Sequence, residues 1–196
     1  MLALADVAAG VLVVAALIKV ADPSPWVTAV RTLGVPLRRR GPWTSLARAV
    51  GVGELAVAGA VWFVGSSVAF LTLGAAYGVF TAVSVVAWRR GGASCGCFGV
   101  RSAPISGLHA GLNAVAVVAA LACAAASPEP LLRRLDDGVG STLAYVAFVV
   151  LGVIAVVVAM TTAAELLDVR RTVSSRTPVT PTRVAPRTPR PTAGSR

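Results

Sequence analysis

The chain has 196 residues, of which 56% are hydrophobic and 13% are charged, and its mean hydropathy is +0.80. Soluble domains carry about 25% charged residues, so this composition excludes an ordinary soluble domain and indicates an integral membrane protein. The net charge of +10 favours anchoring of cytoplasmic segments against anionic lipid, with the bilayer as the main partner. No stretch interleaves basic and aromatic residues on a soluble face, so we expect no nucleic-acid partner.

The first apolar run, Leu2–Val20, approaches the ~20 residues that a helix needs to cross a bilayer. Asp6 lies near its start and Lys19 near its end, where both side chains are expected to snorkel to the lipid headgroups. The run from Asp22 to Pro25 then ends the helix, because proline cannot continue it. Trp26–Leu33 carries apolar residues at helical spacing, which predicts a short amphipathic helix in the membrane interface.

Ala49–Trp88 is almost uninterruptedly apolar, and Glu54 is its only charged residue. This length is about twice one membrane crossing, so it predicts a helical hairpin. The small polar residues at Gly65–Ser67 are the predicted turn. They divide the hairpin into a second span near Trp43–Val64 and a third near Ser67–Trp88.

Two more spans are predicted, one from Pro104 to about Ala126 and one over Val139–Thr162, with proline suited to the first helical turn. Past Thr172 the chain is rich in Thr, Pro and Arg and too poor in apolar residues to fold. The predicted fold is an all-α, polytopic membrane helical bundle with five transmembrane helices, a short interfacial helix after the first span and a disordered C-terminal tail. It divides into a four-helix membrane domain at 1–126, an extra loop and fifth helix at 127–171, and a basic tail at 172–196.

The distribution of Lys and Arg predicts the orientation in the membrane. Basic residues concentrate in the loop after the first span, in the loop after the third span and in the tail. Five spans with the N-terminus outside place all three in the cytoplasm. We therefore expect a multi-pass protein of the plasma (inner) membrane, with the loop that contains Cys95 and Cys97 on the cytoplasmic face. Exposed dithiols on that face are kept mostly reduced.

Cys95 and Cys97 form a C-x-C pair in a glycine-rich loop. Cysteines one residue apart close a small, strained ring, and strained disulfides are easily reduced and exchanged. Three arginines between positions 89 and 101 would also favour the thiolate over the thiol. The pair is consistent with redox chemistry, with binding of a soft ion such as Cu(I), or with a packing role only. We assign no metal site.

Glu54 is an acidic residue inside a predicted span. The helical rise places it about 15 Å beyond Trp43, near the middle of the bilayer. A carboxyl group there must be protonated, paired or directed to a polar cavity. Lys19 is the expected partner if the first two spans are adjacent, and a proton-accepting role is the functional alternative.

His109 and Asn113 are four residues apart on the fourth span and share one face of the helix. His109 could accept a proton from a thiol or from a bound quinone, or it could be hydrogen-bonded within the bundle. Asn113 is predicted to bridge helices. Cys123, in the far half of this span, is predicted to act as a small hydrophobic residue.

These residues together resemble the methylamine-utilisation protein MauE family, part of the wider DoxX-like group of small membrane bundles. The resemblance covers about Met1 to Ala126. It rests on a first span ending in Lys19, on Glu54 in the second span, on Cys-Gly-Cys-Phe-Gly at 95–99, and on Pro104, His109 and Asn113.

The resemblance implies a part in maturing a periplasmic, disulfide-rich dehydrogenase subunit of methylamine metabolism, alongside a thioredoxin-like partner. Cys95 and Cys97 would then be the electron-passing catalytic pair. The residues themselves add His109 as the candidate group that moves the proton. The sequence names no cofactor, and a quinone is the candidate electron carrier. A non-catalytic membrane scaffold and a small transporter built around Glu54 are the alternatives, so whether the protein is an enzyme is left open.

Overall fold

The computed structural model describes residues 1–34, 41–90, 105–126, 129–134 and 139–175, and in the last segment it describes side chains as far as Thr162. Within these ranges the chain forms helices and no strand. Cys95, Cys97 and Pro104 lie outside the described residues, as does the tail from residue 176. The predicted all-helical fold is confirmed for the part of the chain that is described.

Seven α-helices follow one another in the described ranges, and a π-helical turn, Ala60–Val64, extends the third. Five of them are long and apolar enough to cross a membrane, which confirms the predicted number of spans. The helices are α1 (Leu2–Ala21), α2 (Ser24–Thr32), α3 (Gly41–Gly59), α4 (Ser67–Arg89), α5 (Gly107–Ala126), α6 (Leu131–Arg134) and α7 (Val139–Ser175). The spans are α1, α3 with its π-helical turn, α4, α5 and the first part of α7.

The turn between α3 and α4 falls where the sequence predicts it. Gly65 has φ +63°, a left-handed conformation that glycine adopts without a Cβ penalty. Its backbone N–H donates to the Ala60 carbonyl oxygen at 3.0 Å, which closes the π-helical turn. Ser66 then caps α4, because its hydroxyl accepts from the Ala69 N–H at 3.2 Å. Local chemistry therefore explains the whole hairpin connection.

The short helix α2 follows α1 directly and corresponds to the predicted interfacial helix. The Asp22 carboxylate accepts hydrogen bonds from the Ser24 backbone N–H at 3.1 Å and from its hydroxyl at 2.5 Å. These bonds lower the pKa of Asp22, the hydroxyl bond most. Val27 and Ala29 are the buried residues of α2, which places one of its faces against the bundle. The described part of this connection ends at Gly34, with φ 88°.

Helix α1 is the centre of the bundle. It packs against α3, α5 and α7, and the Tyr77 hydroxyl of α4 donates to its Ala8 carbonyl oxygen at 2.7 Å. Alanine and glycine make up six of its eleven buried positions, and Leu12 is only 1% exposed. In lipid, small residues let helix backbones approach closely and gain van der Waals contact. The alanine content of α1 therefore accounts for its central place.

Glycines mark two close helix approaches inside the bundle. A Cβ on Gly51 would lie 2.9 Å from the Ala16 carbonyl oxygen of α1, and one on Gly74 would lie 3.5 Å from the Ala120 Cβ of α5. A Cβ on Gly78 would meet nothing within 4 Å among the described residues. Gly74 therefore serves packing between α4 and α5 within the bundle.

Helix α7 lies at the edge of the bundle, against α1. Gly10 of α1 faces Val153, and Gly152 of α7 faces Val7, so that each helix supplies a notch for a valine of the other. Most other large side chains of α7 are exposed, as expected for contact with lipid. The helix runs on to Ser175, four residues into the predicted tail, because the sequence after the span contains good helix formers and no proline before residue 178.

Candidate functional site

Lys19 and Glu54 form a buried ion pair between α1 and α3. The Lys19 Nζ donates to Glu54 Oε1 at 2.8 Å and to Oε2 at 2.7 Å, and the two side chains are 1% and 6% exposed. The predicted snorkelling of Lys19 to the headgroups is therefore wrong. The side chain turns inward because a paired charge inside the bundle avoids the large penalty of an isolated buried carboxylate.

Asp6 is likewise buried rather than directed to the headgroups, which corrects the second snorkelling prediction. It is 0% exposed, and its Oδ2 accepts a hydrogen bond from the Tyr145 hydroxyl of α7. Aspartate has too short a side chain to reach the interface from within the packed helix, whereas the tyrosine brings a donor to it. This bond ties α1 to α7.

Two aromatic rings stand beside the ion pair. The Lys19 Nζ lies 5.7 Å from the centroid of the Phe80 ring, within cation–π range. Phe80 in turn packs edge-to-face on Tyr77, with centroids 5.7 Å apart and an interplanar angle of 84°. The ring face of Phe80 thus stabilises the ammonium on the side that Glu54 leaves open.

His109 lies in the first turn of α5 and is 2% exposed. Its Nδ1 accepts from the Ser106 backbone N–H at 3.4 Å and lies 3.2 Å from the Ser106 hydroxyl oxygen. An accepting Nδ1 carries no proton, so the hydrogen-bond network assigns the neutral ring with its proton on Nε2.

Asn113 bridges two helices, as the sequence predicts. Its Nδ2 donates to the Ser84 hydroxyl oxygen of α4 at 3.2 Å. Both side chains are buried, at 8% and 2% exposure. Because one amide N–H makes this bond, the second N–H and the Oδ1 of Asn113 can serve another group.

These polar residues border one cavity of about 300 Å³ between α1, α2, α3, α4, α5 and α7. Lys19, Ser84, His109 and Asn113 contribute to its lining, and most of the remaining surface is apolar. Helix α2 forms one wall, to which Trp26 contributes. We call this cavity the α2 pocket.

The α2 pocket unites three of the residues selected from the sequence, Lys19, His109 and Asn113, and Glu54 stands directly behind Lys19. Ser84 belongs to the pocket but does not stand out in the sequence, since a lone serine inside an apolar span is common in membrane helices. Cys123 is 2% exposed within the apolar core, in agreement with its predicted packing role.

Cys95 and Cys97 lie in segment 91–104, outside the described residues, so their geometry is not part of this site. The segment joins the end of α4 to the start of α5. Among the described residues, no group of three or more His, Cys, Asp or Glu side chains could hold a metal ion.

Fold and site define a small, polytopic helical membrane protein with a mostly apolar pocket beneath the short helix α2. The family model described as "Methylamine utilisation protein MauE" matches residues 1–126. The chain belongs to the MauE family. No curated protein and no solved structure matches it significantly. The matched range contains Lys19, Trp26, Ser84, His109 and Asn113 of the α2 pocket, whereas Met160 of α7, which also lines it, lies beyond the match.

Proposed function

We propose that this MauE-family protein is a membrane thiol–disulfide component that supports the maturation of a partner protein and passes electrons to or from a quinone. The observation that carries the proposal is the α2 pocket, which collects neutral and paired polar groups within a membrane bundle. The C-x-C motif of the sequence supplies the thiol chemistry.

The order of the chain supports a link between the cysteines and the pocket. Ser84 lies one and a half turns before the end of α4, and His109 lies in the first turn of α5. Segment 91–104, which contains Cys95 and Cys97, joins these two helix ends in the chain. The cysteines are therefore close in sequence to the helix ends that carry Ser84 and His109.

The proposed reaction balances in two steps. A partner thiolate attacks the Cys95–Cys97 disulfide and forms a mixed disulfide, and the partner's second thiol resolves it, leaving a partner disulfide and the reduced pair. The reduced pair then loses two electrons and two protons to a quinone, which becomes a quinol, and its disulfide reforms. Run in reverse, the same steps reduce a partner disulfide.

His109 is the residue that we assign to proton transfer. Its neutral ring has one nitrogen that can accept and one that can donate, and it borders the pocket. The Lys19–Glu54 pair holds α1 and α3 together beside the α2 pocket. We therefore assign Glu54 a positioning role and not the role of a site for a transported ion.

Trapping of the partner tests the thiol chemistry. The Cys95→Ser and Cys97→Ser variants keep one thiolate that can attack a partner disulfide but lack the second thiol that would resolve the product, so we expect a mixed disulfide with a thioredoxin-like or substrate protein that disappears on reduction. Cys123→Ser is the matched control and should trap nothing, because Cys123 is packed in the core.

The scaffold and transporter hypotheses predict different results when the biological function of variants is measured. Full biological function of the double Cys95→Ser/Cys97→Ser variant would leave only the scaffold hypothesis. Loss of function in Glu54→Gln, with a normally folded bundle and dispensable cysteines, would indicate transport or proton coupling.

A further inference from the structure

The volume of the α2 pocket limits what it can bind. It encloses about 300 Å³, at the small end of the ~300–1,000 Å³ typical of ligand pockets. A one-ring or two-ring headgroup fits such a volume, whereas a whole phospholipid does not. The ligand is therefore a compact group, with any long chain left outside.

The pocket reaches the side of the bundle that faces lipid. Val79 and Val83 of α4 line it, and they are 60% and 40% exposed. Val50 of α3 lines it as well, so that α3 and α4 flank this side. A ligand that enters between these helices arrives from the bilayer interior, which selects molecules dissolved in lipid.

The charges in the pocket select an uncharged ligand. Among the described lining residues, Lys19 carries the only permanent charge, and Glu54 neutralises it through two short hydrogen bonds. His109 is neutral in its hydrogen-bond network. An anionic headgroup would need a cation that is not already paired with another group. Burial of the anion without such a cation is costly.

The polar edge of the pocket suits a carbonyl group. The second amide N–H of Asn113, the Ser84 hydroxyl and the His109 ring are groups that can donate a hydrogen bond to an oxygen. Phe80 and Trp26 also line the pocket and offer aromatic surface to a planar ring. Donors at one edge and rings along the wall fit a flat molecule with carbonyl oxygens.

We infer that the α2 pocket binds the headgroup of a membrane-dissolved quinone, with a carbonyl oxygen near Ser84, Asn113 and His109 and the isoprenoid chain directed past Val79 and Val83. The inference rests on the proposed function for the quinone's role as electron carrier. Binding of the quinone itself needs no cysteine, so the inferred quinone site and the proposed thiol chemistry can fail separately.

Trp26 offers an intrinsic reporter of this binding. With Trp43, Trp62 and Trp88 changed to Phe, Trp26 is the only fluorophore of its kind, and a bound quinone should quench it. We expect saturable quenching by decylubiquinone for the full chain in phosphatidylcholine nanodiscs. A matched chain that keeps only Trp88, which does not line the pocket, should show quenching that rises linearly with quinone in the membrane.

A pair of matched substitutions tests whether the pocket is the site. Ala15 lines the pocket, and Ala15→Leu should weaken saturable binding by about tenfold or more because the added side chain occupies the cavity. Ala75 is exposed on α4, and Ala75→Leu should leave binding unchanged. Equal binding by wild type and Ala15→Leu, or linear quenching in both, would overturn the inference.

Photolabelling with an azidoquinone keeps the test independent of any variant's folding. Label on α2 and on the pocket side of α4 is expected in the wild-type chain, and label spread over the lipid-facing side of α7 would contradict the inference.

The double Cys95→Ser/Cys97→Ser variant should bind decylubiquinone like wild type. Saturable quinone binding without a mixed disulfide would contradict the proposed function alone. Mixed disulfides together with linear quenching would contradict the quinone site alone.

Discussion

The Lys19–Glu54 pair shows how burial changes the part that a charged residue plays in a membrane helix. The sequence supplies both partners and predicts that Glu54 needs one. It does not decide which way Lys19 points, because its flexible stem near the end of a span can reach either the headgroups or the bundle. The closeness of α1 and α3 at Gly51 decides it, since it brings the carboxylate within 2.8 Å of the ammonium.

Removal of either member of this pair is expected to destabilise the bundle strongly. Lys19→Met or Glu54→Leu alone should lower the free energy of unfolding by about 3–5 kcal/mol, because an uncompensated charge stays buried. The double variant should lose less than the sum of the two. Chemical denaturation in mixed micelles measures this, with the exposed Arg48→Met expected within about 0.5 kcal/mol of wild type. Additive losses would show that the pair is not coupled.

Asp22 provides a test by pH outside the membrane spans. Its pKa is lowered by the hydrogen bonds from Ser24, so its stabilising contribution is present above the unfolded pKa and is lost as the pH falls through the lower, folded pKa. In a titration followed by NMR, Ser24→Ala should move the midpoint of Asp22 up toward the ordinary value of about 3.8. An unchanged midpoint would show that Ser24 does not interact with the carboxylate in solution.

At the scale of elements, the helical hairpin from α3 to α4 is the part that the sequence predicts best. A turn at Gly65–Ser67 follows from local features alone, a glycine with positive φ and a serine cap. The π-helical turn at Ala60–Val64 is not predictable in the same way. It adds one residue to a helical turn, and nothing in its uniformly apolar composition marks it.

Two glycines on α3 should respond in opposite ways to the same substitution. A Cβ on Gly51 would lie 2.9 Å from the Ala16 carbonyl oxygen, whereas one on Gly53 would meet nothing within 4 Å in the part of the chain that the structure describes. We expect Gly51→Ala to destabilise the protein by about 1–3 kcal/mol through overpacking. Gly53→Ala should stabilise it by about 0.5–1 kcal/mol through helix propensity.

Thermal unfolding in one detergent compares the two variants directly. The Lys19–Glu54 pair is expected to loosen in Gly51→Ala, because the helices must move apart where they approach most closely. Equal gains in stability for both variants would contradict the close approach of α1 and α3 at Gly51.

At the scale of the whole molecule, α7 completes a bundle of which the MauE match covers residues 1–126. It adds the Tyr145 hydrogen bond to Asp6, and its Met160 lines the α2 pocket. A buried aspartate on α1 therefore depends on a helix that follows the matched range. The sequence does not reveal this dependence, because Asp6 and Tyr145 are 139 positions apart.

The orientation of the whole bundle remains a prediction from the positions of Lys and Arg, and thiol labelling tests it. A membrane-impermeant maleimide should label Cys95 and Cys97 only in inside-out vesicles, because the basic loops are expected to face the cytoplasm. Cys123 should stay unlabelled until the protein is denatured, since it is 2% exposed, and the Cys95→Ser/Cys97→Ser variant isolates this background. Labelling in intact spheroplasts would reverse the predicted orientation.

The sequence by itself determined the spans, the hairpin turn, the interfacial helix and the residues around which a site had to be sought. It could do so because lipid leaves backbone groups no partner but their own helix, so that a sufficiently long apolar run must be helical. Only the tertiary structure decided that α1 is central, that Lys19 and Asp6 point inward, and that a pocket lies beneath α2. Lipid tails are as apolar as leucine, so hydropathy does not distinguish a face that meets lipid from one that meets another helix. Close packing of small residues makes that distinction, and it depends on all of the helices at once.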